Sequence, residues 1–185
     1  IMYKPKKCLL NLFGMEIDKE IEPNEAICNF EYIDGSNENT NFDFFLKSNN
    51  IEVYCEIKYT EDKFAESSSA KNPHEQFLCV YKPMIEKAKE IFVDGAISET
   101  DFNTMYYQLA RNAMRATSPD KHVFFICPKE HEELIQQFKE FSDKCLTDEG
   151  KNRVKLITWE DIVQDAYRLG INIEDFNNRY LAFMP

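Results

Sequence analysis

The sequence has few glycines, few histidines and no long apolar run. Only five glycines occur in 185 residues, which excludes a Gly-rich loop that cradles nucleotide phosphates. The histidines His74, His122 and His131 have no cysteine or carboxylate at metal-ligand spacing, so we do not expect a zinc site. No apolar run approaches the roughly 18 residues of a membrane span, and no signal-peptide pattern is present, so no membrane partner is expected.

The cysteines show no metal-binding or redox spacing. The six are scattered along the chain, and no two of them form a C-x-x-C pair. Cys28, Cys55 and Cys127 lie within apolar runs, where a free thiol behaves as a small hydrophobic side chain. We therefore expect these three to be buried thiols in a protein of a reducing, cytoplasmic setting.

Positive charge is in deficit. The chain has 22 Lys and Arg against 33 Asp and Glu, a formal net charge of −11. This balance excludes a non-specific electrostatic nucleic-acid binder and disfavours docking on an anionic membrane. It remains compatible with an enzyme that has a local basic groove or a bound divalent cation.

The apolar content is sufficient for a core. Hydrophobic residues make up 43% and aromatic residues 14% of the chain, which argues against wholesale disorder. A chain of this length buries about 70% of the surface that its unfolded form exposes, so the core needs no disulfide or metal. The length predicts a single domain over 1–185.

Hydrophobic periodicity predicts three consecutive strands, then helices that alternate with two further strands. This order predicts an α/β domain with a mixed sheet. The helix over 74–93 should be interrupted near Pro83, and the Ser-rich segment 65–73 should be a mobile loop. The predicted strands are 26–33, 41–47, 51–60, 122–127 and 154–158, and the predicted helices are 7–14, 74–93, 99–116, 130–145, 159–168 and 173–181.

The predicted hairpin over 41–60 is the most informative segment. A two-residue turn at Asn49-Asn50, a position where Asn tolerates the positive φ of a type I′ turn, fixes which residues face each other. The resulting register pairs favourable partners and aligns an apolar core face on the other side. The favourable pairs are Lys47 with Glu52 and Phe45 with Tyr54, and the core face is Phe42, Phe44, Leu46, Ile51, Val53, Cys55 and Ile57.

One pair breaks this pattern, because Asp43 lies opposite Glu56. Like charges directly opposed on a sheet are destabilising. Lys58 is two residues after Glu56 and therefore points to the same face. Two carboxylates at this spacing suit a hard divalent cation such as Mg²⁺. A solvated polar face with an ion pair from Lys58 accounts for the pattern equally well.

Asp43, twelve intervening residues and then Glu56-Ile57-Lys58 resemble the motif of the PD-(D/E)XK nuclease superfamily in its degenerate D-x(n)-E-x-K form. The flanking hydrophobic strands and the helix over 107–112 strengthen the resemblance, and 8–14 is similar to the end of the family's first helix. The element order agrees over roughly residues 5–165. The resemblance is to a restriction-endonuclease-like or a RecB-like branch and implies a three-layer fold with the mixed sheet between helices.

The resemblance also implies roles for individual residues. Asp43, Glu56 and the main-chain carbonyl of Ile57 would ligate Mg²⁺, for which Mn²⁺ can substitute. The cation would polarise the scissile phosphate, and Lys58 would orient or activate the attacking water. Gln108 resembles the glutamine that some branches place beside the site.

The sequence departs from the family pattern near its start. Many members have an acidic residue on the first helix that helps to hold the metal, and 1–14 has none. Glu31, on the strand next to Asp43, or Glu16 would have to substitute. Glu31 is therefore a possible additional or supporting metal residue.

The predicted helix over 99–116 has two distinct faces. Its polar face is either an ordinary solvated surface or a DNA-contacting one, since Arg side chains bind phosphates bidentately. The resemblance favours a place at the site for Gln108 and leaves Arg111 and Arg115 as possible DNA-binding residues. The polar face is Gln108, Arg111, Asn112 and Arg115, and the apolar stripe is Phe102, Met105, Tyr106, Leu109 and Ala113.

Three hypotheses follow. The intact motif favours a metal-dependent nuclease that hydrolyses DNA phosphodiester bonds. The net charge favours a nuclease-fold module that binds nucleic acid or protein without cutting, as a homodimer or with a protein partner. The third is an α/β domain with a salt-bridged hairpin. For a nuclease, we expect the acidic segments 16–25 and 130–133 to lie away from the site, and Lys58, Arg111 and Arg115 to line the DNA groove.

Overall fold

The strands form a mixed sheet. A computed structural model describes residues 26–33, 35, 40–65, 72–176 and 178. Within these residues the sheet has five strands in the order β1-β2-β3-β4-β5. The first three form an antiparallel meander, whereas β4 pairs in parallel with β3 and β5. The strands are β1 (Ala26–Ile33), β2 (Asn41–Ser48), β3 (Ile51–Ile57), β4 (Lys121–Cys127) and β5 (Val154–Thr158).

Apart from a helix over Asp148–Arg153 that was not predicted, the described helices follow the predicted order. The predicted α/β class with a mixed sheet is confirmed. Two segments, Phe77–Tyr81 and Phe102–Tyr106, are π-helical and interrupt longer helical runs. The α-helices are α1 (Pro73–Gln76), α2 (Lys82–Lys87), α3 (Glu99–Asp101), α4 (Tyr107–Ala113), α5 (Glu132–Cys145), α6 (Asp148–Arg153), α7 (Trp159–Arg168) and α8 (Glu174–Phe176).

The β2–β3 hairpin has the predicted register. Ser48 pairs with Ile51 across the turn, and the pairing continues to Phe44 opposite Cys55. Asn49 has the expected positive φ of 51°. Asn50 does not, so the turn is not the type I′ turn that was predicted, which needs positive φ at both central residues.

The interruption of the first helical run lies beside the predicted proline. Pro83 is in the first turn of α2, and the π-helical segment Phe77–Tyr81 precedes it within a continuous helical run. Proline removes a hydrogen bond from such a run, which agrees with the irregular segment beside it. This run ends at Lys87 and not near residue 93. The second run, predicted over 99–116, contains its own π-helical segment and ends at Ala113.

Both faces of the sheet are covered by helices over β2 to β5, which gives the expected three layers, whereas most of the edge strand β1 is exposed. The larger cluster includes Phe45 and Tyr54 and packs against the helical segments between residues 77 and 146. The smaller cluster packs against Trp159 and Ile162 of α7. The hairpin face of Phe45 and Tyr54, for which a solvated surface was the alternative, is therefore part of the core. Leu46, Val53, Cys55, Phe124 and Ile126 form the smaller cluster.

Three expectations about single residues are wrong. Cys28 is exposed because β1 lies at the edge of the sheet, while Cys55 and Cys127 are buried as predicted. Met105 is exposed although the other four members of its predicted stripe are buried. Phe42 belongs to the larger cluster and not to the face of Leu46, since its ring centroid lies 5.0 Å from that of Tyr54.

Several predictions concern residues outside the described ones. These are the helix over 7–14, the role of Glu16, the place of the acidic segment 16–25, most of the loop over 65–73 and the end of the helix over 173–181. In the part of the chain that is described, no helix is long and apolar enough to cross a membrane.

Candidate active site

The end of the β2–β3 pairing brings the two motif carboxylates together. The pairing of the two strands ends at Phe44 opposite Cys55, and Asp43 and Glu56 are the next residues on β2 and β3. Asp43 Oδ2 accepts a hydrogen bond of 2.6 Å from the backbone N–H of Ile57. The Asp43 side chain thus continues the pairing of the two strands and is held at the sheet.

Lys58 lies on the same side as Glu56. Its backbone N–H donates to the carbonyl oxygen of Ile126 at 2.7 Å, so the chain still follows β4 at this point. Its Nζ is 3.2 Å from Glu56 Oε1 and 3.4 Å from Glu61 Oε1. Ile57 packs on the opposite face, against the smaller cluster, as predicted.

The motif residues are more buried than we expected. Glu56 is 7% exposed and Lys58 is 8% exposed, so the alternative of a solvated polar face is wrong at these two positions. The cause is non-local, because α4 lies over this part of the sheet and its side chains contact Glu56.

Gln108 is placed at the site, as the resemblance implied. Its Nε2 donates to Glu56 Oε1 at 2.6 Å, and its Oε1 accepts from the backbone N–H of Ala65 at 2.9 Å. A backbone N–H can only donate, so the amide oxygen of Gln108 must face Ala65. This fixes the amide orientation and directs the Gln108 NH₂ group toward Glu56.

Asn112 is a site residue that the sequence prediction did not include. It is buried, and its Nδ2 donates to Glu56 Oε2 at 3.0 Å. Asn112 is four residues after Gln108 and therefore on the same face of α4. That spacing is the signal that would have identified it, once Gln108 had been placed beside Glu56.

Burial dominates the electrostatics of the carboxylates. It raises the pKa of Glu56, and the charge of Asp43 adds to the effect, while Lys58 and Asn112 act in the opposite direction. Burial also raises the pKa of Asp43 against the opposing hydrogen bond from Ile57 and the charge of Lys58. The two facing carboxylates are therefore short of compensating positive charge.

Glu31 lies on β1, the strand that pairs with the Asp43 strand β2. Its neighbours Phe30 and Tyr32 pair with Phe44 and Phe42, while Glu31 itself has a positive φ of 51°. Its exposed carboxylate accepts a hydrogen bond of 2.9 Å from Asn41 Nδ2. The charge of Glu31 contributes to the raised pKa of Asp43, so it reaches the site electrostatically.

Arg111 of α4 and Arg115 of the turn after it both donate to the hydroxyl of Thr40. Thr40 Oγ1 accepts from Arg111 Nε at 3.4 Å and from an Arg115 terminal nitrogen at 2.9 Å. Arg111 also lies over the ring of Tyr107, 5.6 Å from its centroid. Arg115 is 9% exposed, so the expectation that it lines an open groove is wrong.

The acidic segment at the start of α5 is not remote from the site. Asp62 lines a surface depression together with residues 130–133. His131 Nδ1 lies 3.1 Å from the carbonyl oxygen of Glu61, whose carboxylate contacts Lys58. The expectation that segment 130–133 lies away from the site is therefore wrong.

Among the side chains at the site, the carboxylate pair of Asp43 and Glu56 is what fits a hard divalent cation. Asp43 and Glu56 offer oxygen ligands, which Mg²⁺ prefers, and burial leaves their charge poorly compensated. Among the residues that the structure describes, no three His, Cys, Asp or Glu side chains form a metal-holding group. A cation here would therefore take two protein carboxylates and keep several waters.

Comparisons with known proteins place the chain in a family. Residues 1–181 match the family model described as Restriction Endonuclease associating with ARP. A search of the curated proteins found no match, and a search of the solved structures found none either. The match covers nearly the whole sequence and agrees with the α/β fold and its mixed sheet. The chain belongs to the restriction endonuclease family associating with ARP.

Proposed function

We propose that this chain is a PD-(D/E)XK nuclease that hydrolyses DNA phosphodiester bonds with a bound divalent cation. The observation that carries the proposal is the convergence of Asp43, Glu56 and Lys58 at the end of the hairpin pairing. The family to which the chain belongs supports a nuclease-like function.

Asp43, Glu56 and the main-chain carbonyl of Ile57 would hold Mg²⁺ or Mn²⁺. Such a cation, when bound, supplies Lewis-acid polarisation of a phosphoryl oxygen and a lowered pKa for a ligating water. Burial raises the pKa of Asp43 and of Glu56, and a bound cation would oppose both shifts because it favours the ionised carboxylates.

The other site residues position these groups. Gln108 and Asn112 donate to the two different oxygens of Glu56, so the plane of its carboxylate is fixed. Lys58 presents its ammonium group to the same carboxylate, where it would orient an attacking water or neutralise the phosphate. Each of these roles requires the donors to be held rigidly, as the burial of Lys58 and Asn112 supports.

The alternative is a nuclease-fold module that binds without cutting. The net charge of −11 favours it, and so does the contact of Lys58 with two carboxylates, which leaves its charge well compensated. The family description states an association with ARP, so ARP is the partner to propose for such a module. A homodimer is the other arrangement consistent with it.

A cleavage assay separates these functions. Single- and double-stranded DNA would be incubated with the protein in Mg²⁺, Mn²⁺ or EDTA. We expect cation-dependent cleavage that Asp43→Asn, Glu56→Gln and Lys58→Ala each reduce by at least about a hundredfold. Glu52→Gln is the matched control. Glu52 is on β3 like Glu56, but its carboxylate forms an ion pair with Lys47 and does not contact the site.

The outcomes are distinct. Cleavage that survives Lys58→Ala removes Lys58 from the mechanism. If the wild type cuts neither form of DNA with either cation, the nuclease proposal fails and the binding module replaces it.

A further inference from the structure

The carboxylate of Glu61 is held by three donors of the loop that follows β3. Its Oε1 lies 3.4 Å from Lys58 Nζ. Its Oε2 accepts from the backbone N–H of Tyr59 at 3.0 Å and from that of Thr60 at 3.2 Å. Partial burial would raise the pKa of Glu61, but these hydrogen bonds and the charge of Lys58 lower it overall. The loop therefore stabilises an anion at this point.

The same donors match the requirements of a phosphate. Consecutive backbone N–H groups that converge on one point form an anion-binding concavity, and an ammonium group beside them adds charge. Phosphate oxygens accept hydrogen bonds of this kind as carboxylate oxygens do. Because Lys58 Nζ also contacts Glu56, the anion position adjoins the candidate active site.

Glu61 can leave this position without disturbing the core. Its side chain is 49% exposed, whereas those of Glu56 and Lys58 are nearly buried. The donors of Tyr59 and Thr60 are backbone groups, so they keep their place when the carboxylate rotates into solvent.

We propose that Lys58 Nζ and the N–H groups of Tyr59 and Thr60 form a binding site for a DNA backbone phosphate, and that Glu61 fills it when no DNA is bound. The inference rests on the proposed function, because it assigns a substrate subsite beside the same motif. When the phosphate displaces Glu61, the negative carboxylate moves away from Lys58 and the phosphate takes its place. An acidic chain can therefore bind DNA at this point without adding negative charge around Lys58.

The test compares two neighbouring carboxylates. Glu61→Ala vacates the site, and Glu61→Gln keeps its shape without the charge. Asp62→Ala and Asp62→Asn make the same charge changes at the next residue, which is exposed and has no hydrogen bond to another described residue. Binding of single- and double-stranded oligonucleotides would be measured by fluorescence anisotropy in EDTA across a salt series, so that no cleavage occurs.

We expect Glu61→Ala to bind DNA about tenfold more tightly and to steepen the log–log salt dependence by about one unit, as one additional phosphate contact requires. Glu61→Gln should have a smaller effect in the same direction, and the Asp62 variants should change affinity less than about twofold. Titration of Glu61→Ala with inorganic phosphate should shift the amide NMR signals of Tyr59 and Thr60, with much smaller shifts in the wild type.

Each contrary result overturns the inference. Equal gains from the Glu61 and Asp62 variants would indicate general charge repulsion. Weaker DNA binding by Glu61→Ala would make Glu61 an anchor for Lys58. Phosphate binding without oligonucleotide binding would restrict the site to free anions. These readouts need no catalysis, so a wild type that fails to cut DNA refutes the proposed function but leaves this binding comparison intact.

Discussion

The Nε2 of Gln108 donates a hydrogen bond of 2.6 Å to Oε1 of Glu56, across 52 residues of sequence. The orientation of the amide is set by Ala65, whose N–H occupies the Gln108 oxygen. One glutamine thus joins the sheet, the loop after Lys58 and the helix α4. The carboxylate geometry depends on tertiary packing as much as on the hairpin.

Loss of the amide donors should destabilise the fold. Gln108→Ala removes one of the two donors at Oε1 of the buried Glu56, and Asn112→Ala removes the donor at Oε2. Each loss should cost about 1–3 kcal/mol in the free energy of unfolding. Urea unfolding at pH 7 measures it. Gln136→Ala is the control, because Gln136 is exposed and bonds only to Glu140; its cost should stay within about 0.5 kcal/mol. A cost for Asn112→Ala equal to that of the control would contradict the role of Asn112.

The ionisation of Glu56 should make stability depend on pH. Its pKa in the folded state is raised above 4.5 by burial. Below pH 4.5 the residue is protonated in both states and carries no penalty, and the fold loses stability as pH rises through the raised value. Glu56→Gln lacks this loss, so without metal it should be more stable than the wild type at pH 8, with a difference that shrinks toward pH 4.5.

The Gln side chain of Glu56→Gln can keep hydrogen-bond partners at this position, so the comparison reports the ionisation of Glu56 and not a lost hydrogen bond. In Glu56→Gln the amide oxygen can face the fixed donor of Gln108. The new NH₂ group then faces Asn112, whose Oδ1 has no other partner among the described residues, so that amide can flip to accept. Thermal unfolding of both proteins in EDTA over pH 4.5–8 measures the difference. A constant difference over this range would show that Glu56 does not titrate with a raised pKa.

Divalent cations should stabilise the wild type by mass action. At a hundredfold excess over the dissociation constant the gain is about 2.7 kcal/mol, or about 5–10 °C in the melting temperature of a chain of this size. Asp43→Asn and Glu56→Gln should lose most of this shift, while Glu52→Gln keeps it. Equal shifts in all four proteins would place the cation elsewhere.

The hairpin part of the site was predictable from sequence because strand pairing is a local, two-residue repeat. Once the turn at Asn49-Asn50 was placed, the pairing from Ser48 opposite Ile51 to Phe44 opposite Cys55 followed, and it ends beside Asp43 and Glu56. Burial of Lys58 was not predictable in this way, since it depends on α4, which begins about fifty residues later.

The helical segments show a second limit. A regular period of 3.6 residues assigned Met105 to the apolar stripe, but this residue lies in the π-helical segment Phe102–Tyr106. An inserted residue in such a segment shifts which side chains face the core. The stripe was correct for Leu109, which lies in the regular helix α4.

This difference gives a stability test of the helix assignment. Leu109 is fully buried, so Leu109→Ala should cost about 2–5 kcal/mol through lost burial and a cavity. Met105 is 40% exposed, so Met105→Ala should cost less than about 1 kcal/mol. Chemical denaturation of the two variants measures both. Comparable costs would mean that Met105 is packed in solution, as the regular helical period predicts.

Arg115 should contribute to stability, whereas Arg111 should contribute to DNA binding. Arg115 is buried and bonded to Thr40, so Arg115→Ala should lower the free energy of unfolding by about 2 kcal/mol. Arg111 is more exposed, and its guanidinium lies over Tyr107 beside the same hydroxyl. If DNA passes this side of the site, Arg111→Ala should weaken binding and flatten the log–log salt dependence by about one unit.

Measuring both properties for both variants separates a structural arginine from a DNA-binding one. Binding would be measured in Ca²⁺ at a temperature where each variant is folded, and stability by urea unfolding. Arg115→Ala should lose stability with an unchanged salt slope. A buried guanidinium does not contact a DNA phosphate, so its loss does not change the number of counterions that binding releases from the DNA. Arg111→Ala should show the reverse. An unchanged slope in Arg111→Ala would exclude a phosphate contact by Arg111, and the DNA path would then have to run along the loop of Tyr59 and Thr60.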